Sequence, residues 1–328
     1  MADTRREPRP RLRAPALPKA RGTLSAAVTG YLRGDGALPG PEAARRADPY
    51  GDDLQLALYA CYELHYRGFA EADPALEWDP ALLAVRAGME DRFLAALRAD
   101  TGDTAGRLDD VLAGLLVEPV HGSGLSHVLQ ERGELRHVRA YAAQRSLYHL
   151  KEADPHAWVL PRLSGRAKAG MAAVEYDEFG AGRADRVHAR LFADLMGGLG
   201  LRTDYGHYLD EGCAEMLAVV NLMSLFGLHR RLRGALVGHF AAVEITSSPA
   251  SRRLARAMRR TGAGPAAEFF YTEHIEADAV HEQVVRREVI SGLLEDEPEL
   301  EPDIAFGIIA TAHLEDRLTR RLLADWQL

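Results

Sequence analysis

From residue 54 onward, apolar side chains recur every three or four positions, the spacing that gathers them on one side of an α-helix. Stretches with this repeat cover residues 54–67, 81–98, 135–152, 172 to about 199, 213–226, 228–245, 252–260, 268–294 and 302–326. The first two open just after Asp52 and Pro80, residue types that begin helices. Nowhere is an alternation of period two sustained, so an all-α fold is expected. Breaks fall at Asp154-Pro155, Pro161, Ser247-Ser248-Pro249, Gly262 to Pro265, and Pro298 to Pro302. They are short, which predicts a single helical domain over residues 48–328. Residues 1–47 are rich in Pro, Arg, Gly and Ala and poor in large apolar side chains, and are expected to form a flexible tail. No internal repeat is present.

At 328 residues and 47% hydrophobic, the chain can bury a large core. Its formal charge of −8 argues against nucleic acid or an anionic membrane as the main partner and favours a small or neutral one. Cys61 and Cys213 stand far apart and form no CxxC pair, so neither a disulfide framework nor a cysteine zinc site is expected, and a reducing cytoplasm is the natural compartment. Arg5-Arg6 is not followed by an apolar run of signal-peptide length. No apolar run reaches the ~18 residues of a membrane-spanning helix.

The most telling chemistry lies at His274, Asp278 and His281. At about 100° per residue these three side chains fall within an arc of roughly 60° and span about 10 Å of helix axis. Two imidazoles suit a transition metal, and a carboxylate between them favours iron or manganese over structural zinc. Such a stripe supplies half of a dinuclear site, so acidic residues and a further histidine are expected on neighbouring helices. Glu152, Glu178 and His188 meet that need upstream, and Gly180 and Gly182 between the last two provide a distortion that turns both inward. Three carboxylates nearly neutralise two ferrous ions, and three neutral imidazoles complete the set.

At these residues the sequence resembles the haem-oxygenase-like diiron oxidase and oxygenase family, also described as iron-containing redox enzymes. The resemblance rests on Glu152, then Glu178 with nine residues between it and His188, then His274, Asp278 and His281 in the order H-x3-D-x2-H, over residues 135–290. It implies a haem-oxygenase-like bundle of about seven core helices with extra N-terminal helices or a tail, these six residues as ligands of two iron ions, and dioxygen as co-substrate. No catalytic residue beyond the ligands is implied.

Several residues compete for the same roles. Glu175 and Asp177 neighbour Glu178, and His149 and His156 flank Glu152. Asp185 is placed to hydrogen-bond His188. Glu134 with His137, and Glu118 with His121, match the ExxH spacing of ferritin-like di-iron bundles, but the second pair brackets a proline, and both are read as surface or packing residues. Asp204, His207 and His239 lack any comparable constellation. Arg145, Lys151, Lys168, Arg183 and Arg190 are candidates for holding a substrate carboxylate. Residues 216–226 form an apolar run that serves either as core or as a channel wall. No GxSxG elbow, Walker motif or dinucleotide fingerprint occurs.

The expected function is an oxygen-activating non-haem diiron oxidoreductase acting on a small molecule. The resemblance implies N-oxygenation, desaturation or oxidative carbon–carbon cleavage, and the cationic candidates lean the reading toward an amino-acid-like substrate. An external electron donor and a homodimer are compatible with it. A non-catalytic helical protein that binds a ligand or metal is the alternative, and haem binding through a single proximal histidine ranks below both.

Overall fold

The computed structural model describes residues 14–118 and 122–328. Its helices in chain order are α1 (Thr23–Arg33), α2 (Pro41–Arg46), α3 (Asp52–Glu63), α4 (Pro80–Thr101), α5 (Leu108–Leu115), α6 (Leu125–Arg132), α7 (Leu135–His149), α8 (Asp154–Ala157), α9 (Gly165–Glu178), α10 (His188–Gly198), α11 (Ala214–Leu228), α12 (Arg233–Thr261), α13 (Pro265–Val284), α14 (Ser291–Asp296) and α15 (Glu301–Trp326). A π-helical turn, Val285–Ile290, joins α13 to α14, and no strand occurs among the described residues.

Helix α12 is the axis of the bundle, packed against α13, α15, α6 and α11. Buried residues occupy most of its length, from Ala235 to Met258. That burial explains why the break expected at Ser247-Ser248-Pro249 does not form: Pro249 removes one backbone donor, but the packing of both flanks holds a single helix through it. Two glycines set the crossing with α15. A Cβ at Gly238 would collide with the Ile304 carbonyl, and one at Gly307 with that of Ala235.

The expected helix over residues 172–199 is divided. α9 ends at Glu178, a turn through Gly180, Ala181 and Gly182 follows with all three at positive φ, and α10 begins at His188. Gly180 has no room for a side chain, since a Cβ there would lie 2.7 Å from Val187 N. Residues 214 and 216–227 are buried on every side, so α11 is core rather than channel wall.

The expected tail over residues 1–47 is corrected for its described portion. Leu24, Val28 and Leu32 recur at intervals of four on α1 and are buried against α3, in the same core as the rest. Asp53 of α3 accepts from the backbone N–H groups of Leu24 at 2.9 Å and Ser25 at 2.7 Å, satisfying the first turn of α1 from another helix. Residues 1–13 lie outside the described residues, as does His121 of the second ExxH pair.

No helix among the described residues is long and apolar enough to cross a membrane.

Candidate metal centre

Glu152 sits just beyond the C-terminus of α7, in a connection pinned from both sides. Lys151 is buried and donates to Glu63 Oε2 at 2.8 Å, Tyr205 donates to the same carboxylate, and Lys151 Nζ lies over the rings of Tyr59 and Tyr66. Ala153 follows at φ 74°, a conformation that non-glycine residues adopt only where the surroundings impose it. Glu178 is the last residue of α9, His188 the first of α10, and His274, Asp278 and His281 share one stripe of α13. All six side chains converge in the interior, and every one is buried.

They converge as two adjoining groups. Glu152, His188 and His274 form one; Glu178, Asp278 and His281 form the other together with Glu244 of α12, and within each group the potential ligand atoms lie within 4.8 Å of one another. Glu178 links the two, with Oε2 2.7 Å from His188 Nδ1 and Oε1 3.5 Å from His281 Nδ1. Glu244 was not foreseen. The available signal was a lone carboxylate in the apolar run from Phe240 to Ile245, which amounts to one residue on a helix with no second ligand near it in sequence.

For His274 and His281, contacts on the outer side of the ring decide which nitrogen faces inward. His274 Nδ1–H donates to the Phe270 carbonyl at 2.7 Å, leaving the Nε2 lone pair aimed at the first group. His281 Nε2 stands 3.4 Å from Asp177 Oδ2, and its Nδ1 faces Glu244 at 3.1 Å. His149 Nδ1 lies 2.7 Å from Glu152 Oε1, so His149 orients that carboxylate. Asp185 does not serve His188, because it pairs with Arg183 at the surface. Phe192 and Phe270 close the site beside His149 and His274 with ring centroids 4.3–5.4 Å apart, a dry wall.

The donor set fits metal ions. Glu152 Oε2, His274 Nε2 and Asp278 Oδ2 are buried without a hydrogen-bond partner, although each lies among other ligand-type atoms. Four carboxylates balance the charge of two divalent cations. Without cations the charge is accommodated by protons. Burial, then the like charges of Asp278 and Glu178, push Glu244 up to about 8, and burial with Glu178 pushes Asp278 up to about 7. Burial disfavours the charged forms of His188 and His281, but the carboxylates around them prevail and raise both to about 9. Glu152 is drawn down to about 2, because the pull of His149, His274 and His188 overcomes the cost of burial. Glu175, one of the alternatives to Glu178, is buried with both oxygens unpartnered, and burial together with Glu178 and Glu244 lifts it to about 9.

The family model of iron-containing redox enzymes matches residues 139–316, more than half of the chain and all seven of these side chains. The chain belongs to this family. Among its relatives is a nitrosourea synthase from Streptomyces achromogenes subsp. streptozoticus, 27% identical over 210 residues, 64% of this chain and 42% of the relative. The chain therefore spans less than half of that relative's length. For an iron-containing redox enzyme the bundle is the haem-oxygenase-like one that the ordered ligand set implied, all-α throughout the described residues.

Outside this centre the competing motifs have structural employment. His137 Nδ1 accepts from the Glu134 N–H at 3.0 Å, which caps α7. Glu118 pairs with Arg253. His239 bridges His156 Nε2 at 3.1 Å and Thr311 Oγ1 at 2.8 Å, and burial drives both imidazoles down, His156 to about 4. Arg145 is held by Glu315 at 2.8 and 2.5 Å, Arg183 by Asp185 at 3.1 Å and Arg190 by Asp194 at 3.0 Å, Lys151 is bound to Glu63, and Lys168 is exposed.

Proposed function

We propose that this chain holds two iron ions and uses them to activate dioxygen for the oxidation of a small amine-bearing substrate. One observation carries the reading: seven buried ligand-type side chains from four helices and one pinned connection face one another in two groups, with Glu152 Oε2, His274 Nε2 and Asp278 Oδ2 left without a hydrogen-bond partner. Glu152, His188 and His274 would hold one ion, Glu244, Asp278 and His281 the other, and Glu178 would reach both. An iron pair in such a site supplies the electrons that convert dioxygen into an oxidant.

The remaining roles fall to the chain's own groups. The Phe270 carbonyl and Asp177 fix the tautomers of His274 and His281 and raise their basicity. His149 fixes the rotamer of Glu152. Phe192 and Phe270 exclude water from the first group, so that an oxidant formed there meets substrate rather than solvent. Glu175, buried beside Glu178 and raised to about 9 in the metal-free chain, is placed to serve as a proton donor.

Oxidation at nitrogen is the favoured outcome. A nitrosourea contains a nitrogen–oxygen bond, and the relative's name attributes the making of such a compound to it. The test is single-turnover oxygen uptake by anaerobically prepared ferrous protein, alone and with a panel of basic amino acids. Uptake that at least one amine accelerates, with an N-oxidised product by mass spectrometry, is the expected result. Absence of uptake with every amine overturns the reading.

A further inference from the structure

A groove of about 380 Å³ opens between α12, α13 and the end of α5, and Asp278 forms part of its lining. It thereby reaches from the surface to a candidate ligand. Its α12 wall continues the stripe begun at Glu244: Ser248 and Arg252 follow at four-residue intervals, placing Arg252 about 12 Å farther along the helix axis. The opposite wall carries Leu115, Leu116 and Val117, the last two exposed, and the two further carboxylates of the lining are engaged, Glu118 with Arg253 and Glu282 with Arg286.

The two arginines at the mouth differ in kind. Arg253 is engaged, donating to Ser126 Oγ at 2.9 Å and pairing with Glu118. Arg252 is exposed and has no ion pair or hydrogen bond among the described residues. A guanidinium with no partner among the described residues, beside apolar side chains, matches an anionic group on an apolar stem. Deeper in, Pro249 has no N–H to offer the carbonyl of Ile245, which lines the same groove, so the inner wall carries an acceptor deprived of its usual helical donor. An amine suits that position.

We propose that this groove is the substrate entry and that Arg252 holds the carboxylate of an amino-acid-like molecule whose amine end points toward Asp278. The inference rests on the iron-pair reading for what happens at the inner end, whereas recognition of the carboxylate stands on the groove alone.

Ligand-observed NMR with ε-aminocaproate and hexylamine, on the full chain both metal-free and loaded anaerobically with ferrous iron, separates the two. Wild type is expected to favour ε-aminocaproate over hexylamine by about tenfold or more, the worth of one charge-assisted contact. Arg252→Ala should abolish that preference and Arg252→Lys keep part of it. In the iron-loaded protein, broadening should be strongest for the protons beside the amine. No binding of ε-aminocaproate, a preference that survives in Arg252→Ala, or broadening strongest beside the carboxylate overturns the proposal. Binding through Arg252 in a protein that takes up no iron removes the iron-pair reading and leaves the carboxylate site standing; iron uptake without any dependence on Arg252 does the reverse.

Discussion

Asp177 is half exposed, yet its carboxylate faces His281 Nε2 at 3.4 Å, and the other nitrogen of that ring looks into the centre. Asp177→Asn keeps the shape and removes the charge that favours an N–H on Nε2. Iron affinity should fall roughly tenfold to a hundredfold, as for other groups that orient a ligating imidazole. Competition against a graded chelator measures it, and unchanged affinity would show that Asp177 is only a surface carboxylate. The pH response of the centre can be derived from the same residues. His188 and His281 stand at about 9 in the folded metal-free chain against 6.5 for an ordinary imidazole, and Glu244 at about 8 against 4.5. Each binds a proton more tightly folded than unfolded, so its stabilising contribution is present at low pH. That contribution is lost between 4.5 and about 8 for Glu244, and between 6.5 and about 9 for the imidazoles. Metal ions take the place of those protons. The Tm gap between iron-loaded and metal-free protein should therefore widen as pH rises from 6.5 to about 9, by scanning calorimetry, and a gap that narrows contradicts the derivation. Six members of the set were legible in the sequence because three share a helical stripe and the other three precede it in the order that the family resemblance supplies. Glu244 was not, since nothing in the residues around it distinguishes a ligand from a buried carboxylate held by a neighbour.

Among the helices, the crossing of α12 with α15 fixes where Glu244 stands. Gly238 and Gly307 let the two backbones touch, each lying against a carbonyl of the other helix. Gly307→Ala forces them apart and should cost about 1–3 kcal/mol or more as an overpacking change, read from urea denaturation; a loss below ~0.5 kcal/mol, the range of ordinary surface substitutions, would mean the crossing yields without strain. Periodicity located the long helices because most of their buried positions are apolar, with the ligand-type residues as exceptions on α12 and α13. It misplaced two connections for opposite reasons. At Pro249 tertiary packing overrode a local breaker, whereas at Gly180 to Gly182 the local breaker prevailed and turned a predicted single helix into two that present Glu178 and His188 to one centre. The π-helical turn after α13 carries no mark in the apolar pattern, since one extra residue shifts the repeat by less than a helical face.

For the molecule as a whole, composition pointed to a helical body and misjudged its edge. Few large apolar residues precede residue 48, but Leu24, Val28 and Leu32 suffice because α3 offers both an apolar face and the Asp53 carboxylate that caps α1. α5 and α6 were missed for a related reason: each is 8 residues long, too short for a periodic signal to stand out. Short helices such as α6 thus pack around α12 beside the long α13 and α15, and the candidate centre lies where α9, α10, α12 and α13 meet the connection after α7. Whether that meeting point holds a metal pair is the claim on which the rest depends. Metal analysis with Mössbauer spectroscopy on protein loaded with iron-57 under anaerobic conditions tests it most directly. The account predicts two ferrous ions per chain in distinct high-spin environments, converting together on exposure to oxygen, and loss of binding in a His188→Ala, His281→Ala double variant that remains helical. One ion or none in the wild type, or two retained by the double variant, would contradict it.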